Sequence, residues 1–552
     1  MSNFIEICRD QITALVGKAY AGAVKAGTLP EGAQVPCVVE MPRDQARGDY
    51  ATSFALAAAK PMKKAPAAIA AALLEQMNFE GSYFVSAEIA GPGFLNFKLD
   101  SRWYSAVLEG IGGEGEDYGR VDLGGGAKVM VEFVSANPTG PMTIGNARGG
   151  AVGDALASVL DFAGYRVERE FYLNDAGNQV EKFADSLDAR FRQAILGEEA
   201  VAFPEDGYHG EDIKDLVAEY RAEFGNGLID AEEDARKKAL SAYGLEKNIA
   251  RMKTDISRYN ITYDTWFPES QLHTSGYVAE TIDLITAGGH TYEKDGALWF
   301  KAEALGWDKD EVLIRSNGTY TYYAVDIAYH RNKFIGRGFD KVIDVLGADH
   351  HGHMKRFRAG LKPFDIAPES LDFVIMQFVR LMRGGELVTM SKRSGRAVTL
   401  GDLLDEIPVD AVRFTFNMQK PDSHLDFDME LAIRQSSDNP VYYVQYAHAR
   451  ICSLLATLEK EGETPSAEGA ALLDSEAERN LIKCLAQFPE EVRQAAEYYD
   501  PSRINRYLME LAGAFHHFYG ACRIKGETAA LLRARLFLAH CVRTVLRNGL
   551  RL

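Results

Sequence analysis

Side chains able to bind and polarise a phosphorylated substrate are concentrated at residues 131–150. Val131-Glu132-Phe133-Val134 is an apolar run holding one acid, Ser135-Ala136-Asn137-Pro138-Thr139-Gly140-Pro141 is a Pro/Gly turn, and Ile144-Gly145-Asn146-Ala147 opens an apolar segment. That order sets polar groups at the carboxyl end of a buried strand beside the unpaired N–H groups of a helix start, where nucleotide-binding α/β proteins hold anions. Gly145 has no side chain to keep a purine or ribose at a distance. A second cluster, Gly347-Ala348-Asp349-His350-His351-Gly352-His353, closes another apolar run. Its histidines invite a zinc reading, although adjacent side chains leaving a strand end point to opposite sides. A third is the loop 386–395, with Met390-Ser391-Lys392 at its centre.

The elements that must position these groups follow from the pattern. Residues 128–135 predict a buried strand, followed by a helix ending at Gly164 and a second strand at 167–173, which makes a βαβ unit. A charged, helix-prone insertion follows at 181–262. Strand character returns at 299–300, 312–315, 341–347 and 373–379. Two such halves predict a doubly wound, Rossmann-like parallel sheet with its site where the halves meet. The first hundred residues mix helical periodicity with a strand-like close at 91–99, and the glycines at 112–115 and 124–126 predict a flexible boundary. Beyond Leu400 the pattern is almost wholly helical. The expected organisation is an α+β domain at 1–112, an α/β domain at 126–400 with an insertion at about 181–300, and an all-α bundle at 401–552.

At 552 residues the chain exceeds a single core, and 47% hydrophobic with 25% charged residues is a soluble globular balance. The longest apolar runs fall short of a membrane span and the start has no basic leader segment, so a cytoplasmic protein without membrane association is expected. Six cysteines form no C-x-x-C pair, against a structural zinc or disulfide framework. A net charge of −18 argues against non-specific coating of nucleic acid. Arg523, Lys525, Arg533, Arg535, Arg543, Arg547 and Arg551 nevertheless gather near the end, as a solvated helical face or an RNA contact.

Residues 131–150 resemble the first signature of class I aminoacyl-tRNA synthetases, the HIGH motif, and Glu132 with the 135–141 turn resembles its arginyl-tRNA synthetase form. The pattern places His at Thr143 and Asn146. Asn146 keeps an amide donor, whereas Thr143 keeps one uncharged donor of shorter reach; a lost donor in such a site costs roughly 3 kcal/mol of transition-state stabilisation. The loop 386–395 resembles the KMSKS signature, with Thr389 and Arg393 as departures and Met390, Ser391 and Lys392 retained. The resemblance implies ATP as substrate, with Mg²⁺ held by phosphates and water. It also implies Gly145, Gly347, Asp349, Met390 and Ser391 at the nucleotide, and catalytic roles for Thr143, Asn146 and Lys392, the last at the pyrophosphate.

Arginine, the implied amino acid, needs acidic partners, because a guanidinium is planar and permanently charged. Tyr322 and Asp326 share a helical face, though Asp326 or Glu132 taken singly suits an ion pair with a neighbouring Lys or Arg equally well. By resemblance, Tyr322 and Asp326 take the guanidinium, Glu132 and Asn137 the α-amino and carboxylate ends, and His350 lies near arginine and ATP. Residues 439–450 resemble the family's anticodon-binding domain, which makes Tyr443, Tyr446 and Arg450 candidates for contact with unpaired bases, or for core positions. Phe94 and Asn96 match a region the family uses against the outer corner of tRNA. Family members commonly run several residues beyond 552, so anticodon contacts from that tail are expected to be missing. The implied activity is a monomeric ligase joining L-arginine to tRNA(Arg), with activation requiring bound tRNA. One rival is another carbon–oxygen or amide ligase on the same nucleotide-binding fold, such as a cysteine-specific enzyme, which the lack of clustered Cys and His and the presence of paired acids suited to a guanidinium disfavour. Another is a catalytically silent tRNA-binding paralogue, suggested by Thr143 and Thr389 and opposed by retention of Glu132, Asn137, Asp326, Asp349 and Lys392.

Overall fold

Apolar runs from distant parts of the sequence pair as neighbouring parallel strands. In the computed structural model, residues 2–32, 34–42, 48–389 and 397–552 are described, positions 351 and 353 by backbone alone. Strands β1 (Lys128–Glu132), β2 (Arg166–Leu173), β3 (Thr265–Pro268), β4 (Lys341–Gly347) and β5 (Leu371–Met376) lie in the order β5-β4-β1-β2-β3. All four pairings are parallel. The chain leaves β1 in one direction for β2 and β3, then resumes on the other side with β4 and β5. A crevice therefore opens between the carboxyl ends of β1 and β4. Register sets Asp344 opposite Glu132, and Glu132 opposite Glu170.

Helix α1 (Ile144–Phe162) links β1 to β2, and Gly164 beyond it reverses the chain at φ +88°. A Cβ at Gly153 would stand 2.2 Å from the Phe133 ring, so only glycine lets this helix settle onto the strand end. Between β2 and β3 come α2 (Asn178–Leu196), α3 (Glu211–Phe224) and α4 (Glu233–Arg258). Phe183, Phe191, Ile213, Leu216 and Leu240 give these helices a core of their own.

Four local expectations change. Within the span expected as insertion, β3 is a strand of the main sheet; it is four residues long and stops at Pro268, too short to show a period. The segments at 299–300 and 312–315 are strands, but of a separate antiparallel sheet formed by Thr291–Lys294, Ala297–Phe300 and Glu311–Ile314. Its first turn is Asp295-Gly296, both at positive φ, a hairpin signal visible in the sequence. Beyond Leu400, a strand at Leu425–Asp428 pairs in parallel with Val379–Arg383, burying Leu425 and Phe427 alternately. The glycines at 112–113 lie inside the helix Ser101–Glu114 and not in a flexible boundary; a Cβ at Gly112 would meet the Phe537 ring at 2.8 Å, so that glycine serves close packing.

By its contacts the chain divides into two units. One, 122–442 with 494–505, holds the parallel sheet. The other joins 1–121 to 443–493 and 506–551. Its antiparallel sheet runs Val39–Glu40, Tyr50–Thr52, Phe94–Leu99, Phe84–Ala90, and its helices include Phe4–Lys25, Glu476–Ala486 and Ala529–Arg551. Among the described residues no helix is long and apolar enough to cross a membrane.

Candidate active site

The crevice at the switch between the two halves of the sheet holds a cleft of about 410 Å³. Val134 and Ser135 line it from beyond β1, Gly347 from the end of β4, Asp349 and His350 from beyond it, and Gly145 and Asn146 from the first turn of α1. Val134 and Ser135 have φ of +70° and +35°. That conformation is costly for a β-branched residue, and such cost concentrates at functional sites. It bends the chain off β1 so that Asn137 lines an adjoining hollow with Asn146.

Thr143 caps α1. Its hydroxyl donates to Asn146 Oδ1 at 2.9 Å and faces Asn146 N at 3.4 Å, while its own N–H donates to the same Oδ1 at 2.9 Å. This reciprocal capping box commits the Asn146 carbonyl to the helix start. Thr143 also forms a backbone bridge with Thr399. Thr399 caps α6 (Leu400–Glu406) in a second box with Asp402, and Leu400 N–H donates to Met142 O at 2.9 Å. Arg148, 1% exposed, donates to Gln377 O at 2.7 Å and Lys420 O at 3.0 Å, tying α1 to the chain after β5. Burial pushes its guanidinium down to about 10.

Beside this cleft, α5 (Tyr322–Arg331) brings two predicted residues together. Thr321 caps it, its hydroxyl accepting from Ala324 N at 3.3 Å. Tyr322 stands exposed at the start, and Asp326 follows one turn later. Burial pushes Asp326 up to about 6, aided by the charge of Glu132 and opposed by His330, Arg356 and His350. Glu269, immediately after β3, was not among the residues singled out from the sequence. It is buried and pushed up to about 7, by burial first and by the Asp326 charge, with a hydrogen bond from Tyr172 pulling the other way. Burial raises the proton affinity of both carboxyls, and the Asp326 charge raises that of Glu269 further, an arrangement that favours a cation between them.

Three families match the chain in succession: an arginyl tRNA synthetase N-terminal domain at 9–99, the catalytic domain of class I (R) tRNA synthetases at 114–434, and a DALR anticodon-binding domain at 444–552. Arginine–tRNA ligases of Acetivibrio thermocellus and of Caldanaerobacter subterraneus are each 51% identical to it over 100% of this chain and 98% of theirs. The chain belongs to the arginyl-tRNA synthetases. The Thermus thermophilus arginyl-tRNA synthetase structure shares the fold, with a TM-score of 0.72 at 23% identity over 98% of both chains.

Among the residues expected to serve an arginyl-tRNA synthetase, Glu132, Asn137, Asn146, Thr143, Gly145, Tyr322, Asp326, Gly347, Asp349 and His350 fall in the unit that carries the parallel sheet. Met390, Ser391 and Lys392 lie outside the described residues. Glu132 is 8% exposed and ion-paired with Lys333, so one of its oxygens does make the ion pair that its sequence also allowed. Phe94 and Asn96 lie on the antiparallel sheet of the other unit, Asn96 buried. Tyr443, Tyr446 and Arg450 share the helix Pro440–Lys460, where the Arg450 guanidinium lies 5.0 Å over the Tyr446 ring and 4.8 Å over that of Tyr519. His516 packs against Tyr443 at 5.0 Å between ring centroids. No signal around Glu269 marks it in the sequence, since Phe267-Pro268-Glu269-Ser270 is an ordinary loop entry. Of the zinc alternative, no group of three His, Cys, Asp or Glu among the described residues could hold a metal ion. The side chains of His351 and His353 lie outside that set.

Proposed function

We propose that this cleft forms arginyl-adenylate from ATP and L-arginine and transfers the arginyl group to tRNA(Arg). The pair Asp326 and Glu269, held up at about 6 and about 7, carries the proposal. Such a site suits a cation that never gives up its proton, and among amino-acid side chains that is the guanidinium. Tyr322 flanks it, Glu132 faces the α-ammonium and Asn137 the carboxylate. ATP lies with its ribose toward Asp349, Gly347 and His350, and with its α-phosphate at the first turn of α1.

A carboxylate oxygen of arginine attacks the α-phosphorus and pyrophosphate leaves. The α1 N–H groups and the Asn146 amide stabilise the charge that develops, with Lys392, Ser391 and Met390 on the nucleotide and pyrophosphate side. A ribose hydroxyl at the tRNA terminus then attacks the carbonyl carbon, and AMP leaves. ATP enters as its magnesium complex, the ion held by phosphates and water. The capping box gives Thr143 work as a helix cap, and the 51% identity to arginine–tRNA ligases over the whole chain speaks against a silent paralogue.

The tRNA meets the N-terminal region around Phe94 and Asn96 and the aromatic cluster of Tyr443, Tyr446 and Arg450, with domains at 1–112, 126–400 and 401–552. The enzyme acts as a cytoplasmic monomer. Arginine-dependent pyrophosphate exchange, with and without tRNA(Arg), tests the proposal. Exchange that requires both arginine and tRNA is expected, and no exchange under either condition would overturn it.

A further inference from the structure

Three carboxylates stand side by side across the middle of the parallel sheet: Asp344 on β4, Glu132 on β1 and Glu170 on β2 are in register. Like charges directly opposite one another destabilise a sheet, so this row needs cations. Two are supplied by the single π-helical turn Asn332–Gly336 and the residue after it. Lys333, fully buried, donates to Glu132 and, at 2.9 Å, to Asp344, with its ammonium 4.3 Å over the Tyr329 ring. Arg337 pairs with Glu170, which also accepts from the Tyr329 hydroxyl. His330 completes the cluster, one ring nitrogen 2.9 Å from Asp344 and the other 2.8 Å from the Asp326 carbonyl oxygen. The row thus carries one carboxylate more than the two cations that touch it.

We propose that Lys333 is a positioning residue for arginine, fixing the Glu132 carboxylate so that it meets the α-ammonium of the amino acid. The inference rests on the arginine site proposed above. Burial works against the Lys333 charge, but Asp344, Glu132 and Glu170 outweigh it and hold the ammonium above the ordinary lysine range. In return, Lys333 and His330 keep Asp344 down at about 2 despite its burial. Asp344 is therefore ionised throughout the neutral range, and the shared Lys333 ammonium holds the Glu132 carboxylate in a fixed place. Tyr172 and Tyr263 also face Glu132, both held protonated by burial. The Lys333 ammonium thus ties the Glu132 and Asp344 carboxylates to one another.

Replacing Lys333 by Met leaves Glu132 and Asp344 adjacent without their shared ammonium, and the pair takes up a proton. The arginine KM should rise at least about tenfold at pH 7.5 and fall again toward pH 9, whereas the parent is flat over that range. The ATP KM should not move, and kcat should change by less than about threefold, because uniform binding is lost. The double variant K333M/D344N, followed by thermal denaturation, guards against misfolding. It removes the excess charge, and it should recover stability while keeping a raised arginine KM. An arginine KM and pH slope like the parent's in both variants would overturn the inference. D326N measured alongside separates the two readings: if it also leaves the arginine KM unmoved, the arginine site itself is misassigned.

Discussion

Arginine affinity should depend on pH through Glu269, and the size of the effect follows from the two shifted carboxyls. With Asp326 at about 6 and Glu269 at about 7, a guanidinium must displace the protons they hold. If both are ionised in the complex, dissociation constants at pH 6 and pH 8 should differ about twentyfold, and about one proton should be released on binding at pH 6.5. Glu269→Gln removes the higher of the two titrations, so the same interval should show only about a twofold change, on a weaker baseline. His330 and His350 also face Asp326, which is why the parent-to-variant difference is the informative quantity. Calorimetric titration of arginine in buffers of different ionisation enthalpy gives affinity and proton count together. A parent affinity that is flat from pH 6 to 8, or a variant profile that matches the parent's, would refute the reasoning. The sign for stability is opposite. A carboxyl whose folded value lies above its unfolded one costs stability as pH rises through that window, and does not cost it below about pH 4. Unliganded Glu269→Gln should therefore melt higher than the parent at pH 8 while binding arginine less well.

Asp326→Asn should raise the arginine KM about ten- to a hundredfold, a loss of roughly 1.5–3 kcal/mol, with the ATP KM unaltered; an unchanged arginine KM in steady-state assays would exclude Asp326 from the guanidinium site. Lys392→Ala should slow adenylate formation in single-turnover assays with little change in arginine affinity, because a cation on pyrophosphate is felt as charge develops; a raised KM at unchanged kcat would make it a ground-state contact. Thr143→Ala should cost about 1 kcal/mol of stability through loss of the helix cap, read by denaturant unfolding. Thr143→His should change activity by less than about tenfold, since the proposed site gives the phosphate its donors from Asn146 and the helix start; rescue by several orders of magnitude would show that Thr143 disables the site.

Local pattern carried the parts of this protein that depend on neighbours in sequence. The strand, turn and helix at 128–162, the strand at 341–347, the strand expected at 373–379 and found at Leu371–Met376, and the cap after α1 were legible because apolar runs, Pro/Gly turns and helix starts are short-range features. Tyr322 and Asp326 could be paired in advance because residues four apart on one helix share a face. Tertiary structure decided the rest. Glu269 becomes an acid of consequence only because the four-residue β3 joins the sheet and buries it beside Asp326. The row of Asp344, Glu132 and Glu170 exists only in register across three strands. Nothing within 201 residues of Glu132 in sequence announces that Lys333 will be its partner. Thr143, a gap in a motif when seen as a letter, becomes a cap once the helix start has formed around Asn146. Spacing along a chain fixes which side chains share a face, but only strand order and register determine which charges must share a low-dielectric interior, and that sharing sets their proton affinities.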